Sequence, residues 1–239
     1  MERTIPTMNN SVELIGYYGS DVTHAQSAWT STSRDLDESK IERIPDLLKM
    51  LAEHGHHTPF EKSSLHFLVT VDQATHIHLL KHRIGVSVNG ESARYKELKE
   101  DKTYIPEDWD NDDIPVSEDL AFVQDRSAFD VMVSSDTQWS DLLSNFSDLS
   151  NFLYHECLKS LTPILGRKRA KESARFFKTM NSQITMDVMF NWRSFMHFYH
   201  LRADEHAQLE VREMAKKMLE LVKQIDGNPF EHTIKAFKV

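Results

Sequence analysis

Cysteine is nearly absent from this chain: Cys157 is the only one among 239 residues. An internal disulfide is therefore impossible, and a cysteine-built zinc cluster is excluded. Glycine is also scarce, and the seven glycines, at 16, 19, 55, 85, 90, 166 and 227, nowhere form GxGxxG or GxxxxGK(S/T). Without such a loop neither a Rossmann dinucleotide site nor a P-loop is supported, so any nucleotide must be held mostly by side chains. No apolar run approaches the length of a membrane helix. The opening MERTIPTMNN has neither an apolar core nor a small-residue cleavage site, so a cytoplasmic location without a membrane partner is the expectation. A basic excess is missing too, and a net charge of −9 argues against a general nucleic-acid binder.

What is present suits a globular α+β protein. Apolar residues make up 40% of the chain, and its length is compatible with a single domain over 1–239. The acidity is local. Residues 101–150 hold thirteen acids against Lys102 and Arg126, a balance of −11, so the remainder of the chain is +2. This acidic variable segment reads as a solvated insertion.

Helical spacing predicts a helix over 37–54, with Pro45 near its true start and Gly55 as its stop. Residues 64–71 alternate as a strand, and 72–80 return to helical spacing. Residues 81–95, dense in polar groups, read as a surface loop, and 104–118, with Pro106, Pro115 and DWDNDD, as an exposed one. Helices are predicted over 139–161, 168–178, 193–201 and 203–225, the last with Asp204 as N-cap. A strand precedes Asn191, where Ile184, Met186, Val188 and Phe190 alternate. Cys157, among Leu153, Leu158 and Leu161, reads as a packing residue.

Arginine is the expected tool for phosphate, because its planar fork makes paired charge-assisted bonds. Two regions supply it with other polar donors. One is Lys81-His82-Arg83, Ser87, Asn89, Ser92 and Arg94-Tyr95; the other is Arg175 with Asn191 to Arg202. On a helix, Arg193, His197 and His200 share one face, whereas Arg202 lies about half a turn away. The run His54-Gly55-His56-His57 lacks the Asp-His completion of an HxHxDH hydrolase motif, and no metal is expected.

The pattern KHR, then SVNGESARY, resembles the signature of the flavin-dependent thymidylate synthases. His56 to Glu61, HHTPFE, is similar to a further element of that family. So are Asn191-Trp192-Arg193-Ser194, His197-Phe198, Leu201-Arg202 and Ala207-Gln208. The resemblance implies that family's α+β fold, with an antiparallel or mixed sheet flanked by helices. It implies reductive methylation of dUMP to dTMP with FAD, NADPH as reductant and methylenetetrahydrofolate as carbon donor, in a homotetramer whose active sites are shared between subunits. It places Thr58, Lys81, His82, Arg83, Asn191, Arg193 and His197 on FAD. It places His78, Lys81, Gly90, Glu91, Ser92, Ala93, Arg94, Arg175 and Arg202 around dUMP, with Arg202 activating the uracil ring. A guanidinium beside N3 stabilises the negative charge that makes C5 nucleophilic.

Three features depart from the signature. Lys81 replaces an arginine and loses the bidentate fork. One extra residue lies between Arg83 and Ser92. Gly90 stands at the usual glutamate, with Glu91 one step later, and a glycine there admits backbone angles that glutamate would resist. Two rival readings stay open on the sequence: an RNA or nucleotide binder using GRKRAKESAR as a basic helix, and a flavoprotein of this fold without synthase activity.

Overall fold

The computed structural model describes residues 9–33, 35–110 and 138–239. These fall into two compact units. The larger comprises residues 10–70, 75–90 and 185–239, and the smaller residues 71–74 and 91–184 with Asn9. Most of the centre of the acidic segment, including the predicted loop beyond residue 110, lies outside the described residues.

In the larger unit a four-stranded sheet has the order β1-β2-β4-β3, with β1 Ser11–Tyr18, β2 Ser64–Asp72, β3 Val86–Gly90 and β4 Gln183–Phe190. β1 runs antiparallel to β2, with a register shift between Leu14 and Gly16, and β3 runs antiparallel to β4. Two-residue alternation sends Leu65, Phe67 and Val69 of β2 and Met186, Val188 and Phe190 of β4 into the core, all fully buried. Helix α7 (Trp192–Arg202) covers them: Phe195 stacks on Phe67 at 5.7 Å, and Phe198 meets Phe190 at 5.2 Å. Helix α8 (Leu209–Lys223) adds Val211, Met214, Ala215, Met218, Leu219 and Val222, a buried stripe at helical spacing.

The larger unit also holds α1 (Asp21–Trp29), α2 (Glu38–Glu42), α3 (Ile44–Glu53), a 3-10 turn over Thr58–Lys62 and α9 (Glu231–Ala236). A buried polar chain ties α1, α9 and the start of β2 together. The Ser63 hydroxyl pairs with His24 Nε2 at 2.8 Å, and His24 Nδ1 pairs with Thr233 Oγ1 at 2.9 Å. Thr233 donates its hydroxyl, at 2.5 Å, and its backbone N–H to the Asp21 carboxylate. Because that hydroxyl proton is committed to Asp21, His24 Nδ1 carries the donor proton and Nε2 accepts from Ser63.

The smaller unit is built on α6 (Trp139–Ala174), which contains Pro163 and breaks at Gly166, where φ is 76° and ψ 152°. Tyr154, Leu158, Ala170 and Ala174 form its core, with Cys157 and Leu161 packed against them. Cys157 is thus a packing residue. A 3-10 turn over Arg175–Phe177 follows, and α5 (Glu107–Asp110) precedes the undescribed stretch. α4 (Gln73–Leu80) completes the helices. No described helix is long and apolar enough to cross a membrane.

Several expected boundaries move. The helix predicted over 37–54 is two, α2 and α3, with Pro45 in the first turn of α3. The predicted 168–178 helix ends at Ala174. Asp204 does not cap a helix starting at 203, because α8 begins at Leu209; its carboxylate instead accepts from the backbone and ring of His206, at 2.9 and 2.8 Å. The surface loop predicted over 81–95 contains β3, which pairs along its length with β4. A five-residue edge strand with Ser87 and Asn89 on one face carries too little apolar pattern to announce itself.

Candidate functional site

The larger unit contains a cleft of about 750 Å³, within the range of small-molecule and cofactor sites. Its floor is the exposed face of α7. Arg193, His197 and His200 stand at i, i+4 and i+7 on one face and all line it, with Met196 below. The opposite face of α7 puts Trp192, Phe195 and Phe198 into the core, so the helix is firmly held while it presents a guanidinium and two imidazoles to the cleft.

Asn191 fixes where this helix starts. Its side chain accepts from Ser194 N at 2.9 Å as the N-cap, and its backbone N–H donates to Gly85 O at 3.0 Å. Gly85 sits at φ 64°, and a Cβ there would lie 2.3 Å from both Asn191 Nδ2 and Ser194 Oγ. Only glycine permits this approach of the signature segment to the helix N-terminus, whose unsatisfied N–H groups favour anions. The other walls are Ala52 and Glu53 at the end of α3, His57 and Glu61 around the 3-10 turn, Ile84, and Ala236 to Lys238 after α9. Glu61 forms a close ion pair with Arg193. Phe237 packs on His57 at 5.4 Å and on Phe60 at 4.9 Å. A smaller, more open cleft of about 490 Å³ adjoins, sharing Glu61, Gly85 and Asn191 and adding Ser63 and Ser87.

At the far end of α7, Arg202 Nε donates to His82 Nε2 at 2.9 Å, across 120 residues of sequence. The His82 ring also meets Phe198 at 5.0 Å and His197 at 6.3 Å. Burial, followed by the charges of Arg202 and His197, holds the His82 pKa down to about 4. His82 is therefore neutral near pH 7, an acceptor at Nε2 that orients the guanidinium.

The structure thus brings Asn191, Arg193 and His197 together in the cleft, and His82 to Arg202. It does not place Thr58, Lys81 or Arg83 among the residues lining that cleft; all three are exposed. His78 has a buried Nδ1 without a hydrogen-bond partner among the described residues, an atom suited to a ligand. Gly90 does not use the freedom expected of it. Its φ is not positive; it pairs with Met186, and a Cβ would meet Met186 Cγ at 3.3 Å, so packing disfavours a side chain there.

The remaining candidates belong to the smaller unit. Arg94 pairs with Glu172 at 3.0 Å, Glu91 with Lys96 at 2.7 Å, and Ser92 Oγ accepts from Arg94 N at 3.3 Å. Ala93 is half-buried, and Arg175 opens the 3-10 turn, exposed. Asp101 and Asn151 bind the Lys178 ammonium at 2.9 and 2.6 Å, while the Lys178 backbone N–H closes that turn onto Arg175 O at 3.1 Å. The basic run GRKRAKESAR is largely committed inside the chain: Lys171 is buried and donates to Tyr95 O at 2.6 Å, Arg167 pairs with Glu97 at 3.4 Å, and Arg169 with Glu172 at 3.5 Å. That weakens the nucleic-acid reading. His57, His200, Phe237 and Lys238 were not expected as cleft residues. His200 was legible from its spacing to Arg193, whereas nothing in the pattern of residues 236–238 marks them.

The family model described as thymidylate synthase complementing protein matches residues 13–226. The flavin-dependent thymidylate synthase of Ehrlichia ruminantium (strain Gardel) is 33% identical over 215 residues, 89% of this chain, and the chain covers 66% of that relative's length. The flavin-dependent thymidylate synthase of Thermosipho africanus is 30% identical over 228 residues, 95% of this chain and 92% of the relative. Among solved structures, the UMP/dUMP methylase PolB of Streptomyces cacaoi bound with 5-Br dUMP has a TM-score of 0.70 at 25% identity, covering 96% of this chain and 94% of that one. With the family model spanning most of the sequence and the Thermosipho relative aligned over nearly all of it, the chain belongs to the flavin-dependent thymidylate synthase family.

Proposed function

We propose that this protein converts dUMP to dTMP, with FAD bound in the α7 cleft, methylenetetrahydrofolate as carbon donor and NADPH as reductant. The observation that carries the reading is the meeting of Arg202 with His82 at one end of the helix whose face, Arg193 to His200, lines the cleft. It joins the two sequence regions that resemble the family and gives them one structural purpose.

FAD fits the residues present. The cleft has the volume for much of a dinucleotide, a helix N-terminus cradled by Gly85, and a guanidinium with two imidazoles along its floor. Asn191, Arg193 and His197 hold it, with Thr58, Lys81, His82 and Arg83 as further contacts. When bound, the flavin carries reducing equivalents from NADPH to the methylated pyrimidine.

The remaining work falls to this chain's side chains. Neutral His82 accepts from Arg202 Nε and keeps the guanidinium in one orientation. Arg202 places fixed positive charge against the uracil ring, stabilising the charge that develops as C5 becomes nucleophilic. Arg94 and Arg175 take the 5′-phosphate, and His78, Gly90, Glu91, Ser92 and Ala93 complete the nucleotide site. The protein works as a cytoplasmic homotetramer with shared active sites.

The purified protein is expected to be yellow, to release FAD on denaturation, and to release tritium from C5-labelled dUMP when folate and NADPH are supplied. Arg202→Ala retains flavin but loses turnover. Turnover in that variant, or a colourless protein that FAD does not bind, overturns the reading.

A further inference from the structure

Three residues other than glycine have positive φ among those described: Asp101 (50°), Asn228 (37°) and Lys238 (59°). Asp and Asn tolerate this conformation through short polar side chains, whereas lysine has no such compensation. Lys238 follows α9 with its N–H bonded to Lys235 O at 3.1 Å, at a helix C-terminal position where glycine is favoured. Backbone strain of this kind persists only where the surroundings over-determine it, and it concentrates at functional positions.

The surroundings here are firm. Phe237 is wedged against His57 and Phe60, and α9 is held at its other end by Asp21 and His24 through Thr233. Lys238 lines the cleft that Arg193 and His200 also line. The C-terminal ends of α3 and α9 turn the negative ends of their dipoles toward that cleft, and Glu53 adds a charge, so this wall on its own disfavours anions. Arg193 is already paired with Glu61. Lys238 enters no ion pair among the described residues, so its ammonium offsets the negative wall and is available to a ligand.

We propose that Lys238 is an anion contact of the cleft, binding a phosphate of the flavin dinucleotide. This rests on the reading of the cleft as the flavin site. The decisive variant is Lys238→Gly, because strain and binding predict opposite changes. Relief of the positive φ should raise the melting temperature of the flavin-free protein by about 2–4 °C. Loss of the ammonium should raise the FAD dissociation constant about tenfold, measured by quenching of flavin fluorescence. Riboflavin, which lacks phosphate, should bind both proteins equally, and Lys238→Arg should keep FAD affinity. If Lys238→Gly binds FAD as tightly as the parent, or loses riboflavin to the same degree, Lys238 is not a phosphate contact. If the parent binds neither flavin, the cleft reading itself fails and the proposal falls with it.

Discussion

Single residues in this protein are constrained more by what approaches them than by their own chemistry. Gly85 shows this most directly: with φ at 64°, a Cβ would stand only 2.3 Å from Asn191 Nδ2 and Ser194 Oγ, which leaves no room for a side chain. Gly85→Ala should therefore displace the α7 cap and destabilise the protein by about 2 kcal/mol or more. A thermal melt checks this, and flavin affinity should fall with it, since Asn191 and Ser194 line the cleft. Gly90 is the instructive contrast. It is a glycine in a strand, where a Cβ would press on Met186 Cγ at 3.3 Å, so a side chain at that register requires Met186 to shift.

At the scale of elements, α7 works because its two faces are divided, one packed into the sheet and one open to the cleft. In α6 the break at Gly166 has a different cause. A Cβ there meets nothing within 4 Å, yet φ 76° with ψ 152° is a region that only glycine occupies readily. Gly166→Ala should thus be destabilising by about 1–3 kcal/mol from strain alone, seen as a lower urea midpoint. The turn carrying Arg175 is anchored by a buried ion pair, with the Lys178 side chain only 4% exposed against Asp101. Burial pushes the Lys178 pKa down while Asp101 pushes it up. Asp101→Asn removes the counter-charge and leaves the ammonium only its bond to Asn151, which should destabilise by about 3 kcal/mol. Combining it with Lys178→Met should recover much of the loss, and a double-mutant cycle on denaturant midpoints measures the difference.

The whole molecule carries a pH dependence to which three histidines contribute, His76 being lowered by burial and the other two further. Burial holds His24 to about 3, and burial with neighbouring charge holds His82 to about 4, against an ordinary value near 6.5. Between these limits the unfolded chain binds protons that the native state refuses, so stability rises with pH there. It should be intact above about pH 6.5 and fall progressively as the pH drops toward 4. His24→Gln should be less stable at pH 7, having lost a partner for Ser63 or Thr233, but should show a shallower decline in acid. Urea midpoints from pH 7.5 to 4.5 would show whether the slopes differ.

Much of this was legible in the sequence. Strand β2, strand β4 and helix α3 followed from apolar periodicity, because a half-buried element must alternate with its own geometry. The family was legible from residue types at fixed spacing in the signature and around Asn191 to Arg202. The shared face of Arg193, His197 and His200 followed from helical angle alone. Only the tertiary structure decided the rest. β3 is too short and polar to reveal itself, and it exists because β4 offers a partner. His82 meets Arg202 because folding closes a separation of 120 residues. Lys238 enters the cleft because the buried chain of Ser63, His24, Thr233 and Asp21 holds the last helix in place. Periodicity reports the environment of one element, whereas these contacts depend on where several elements come to rest.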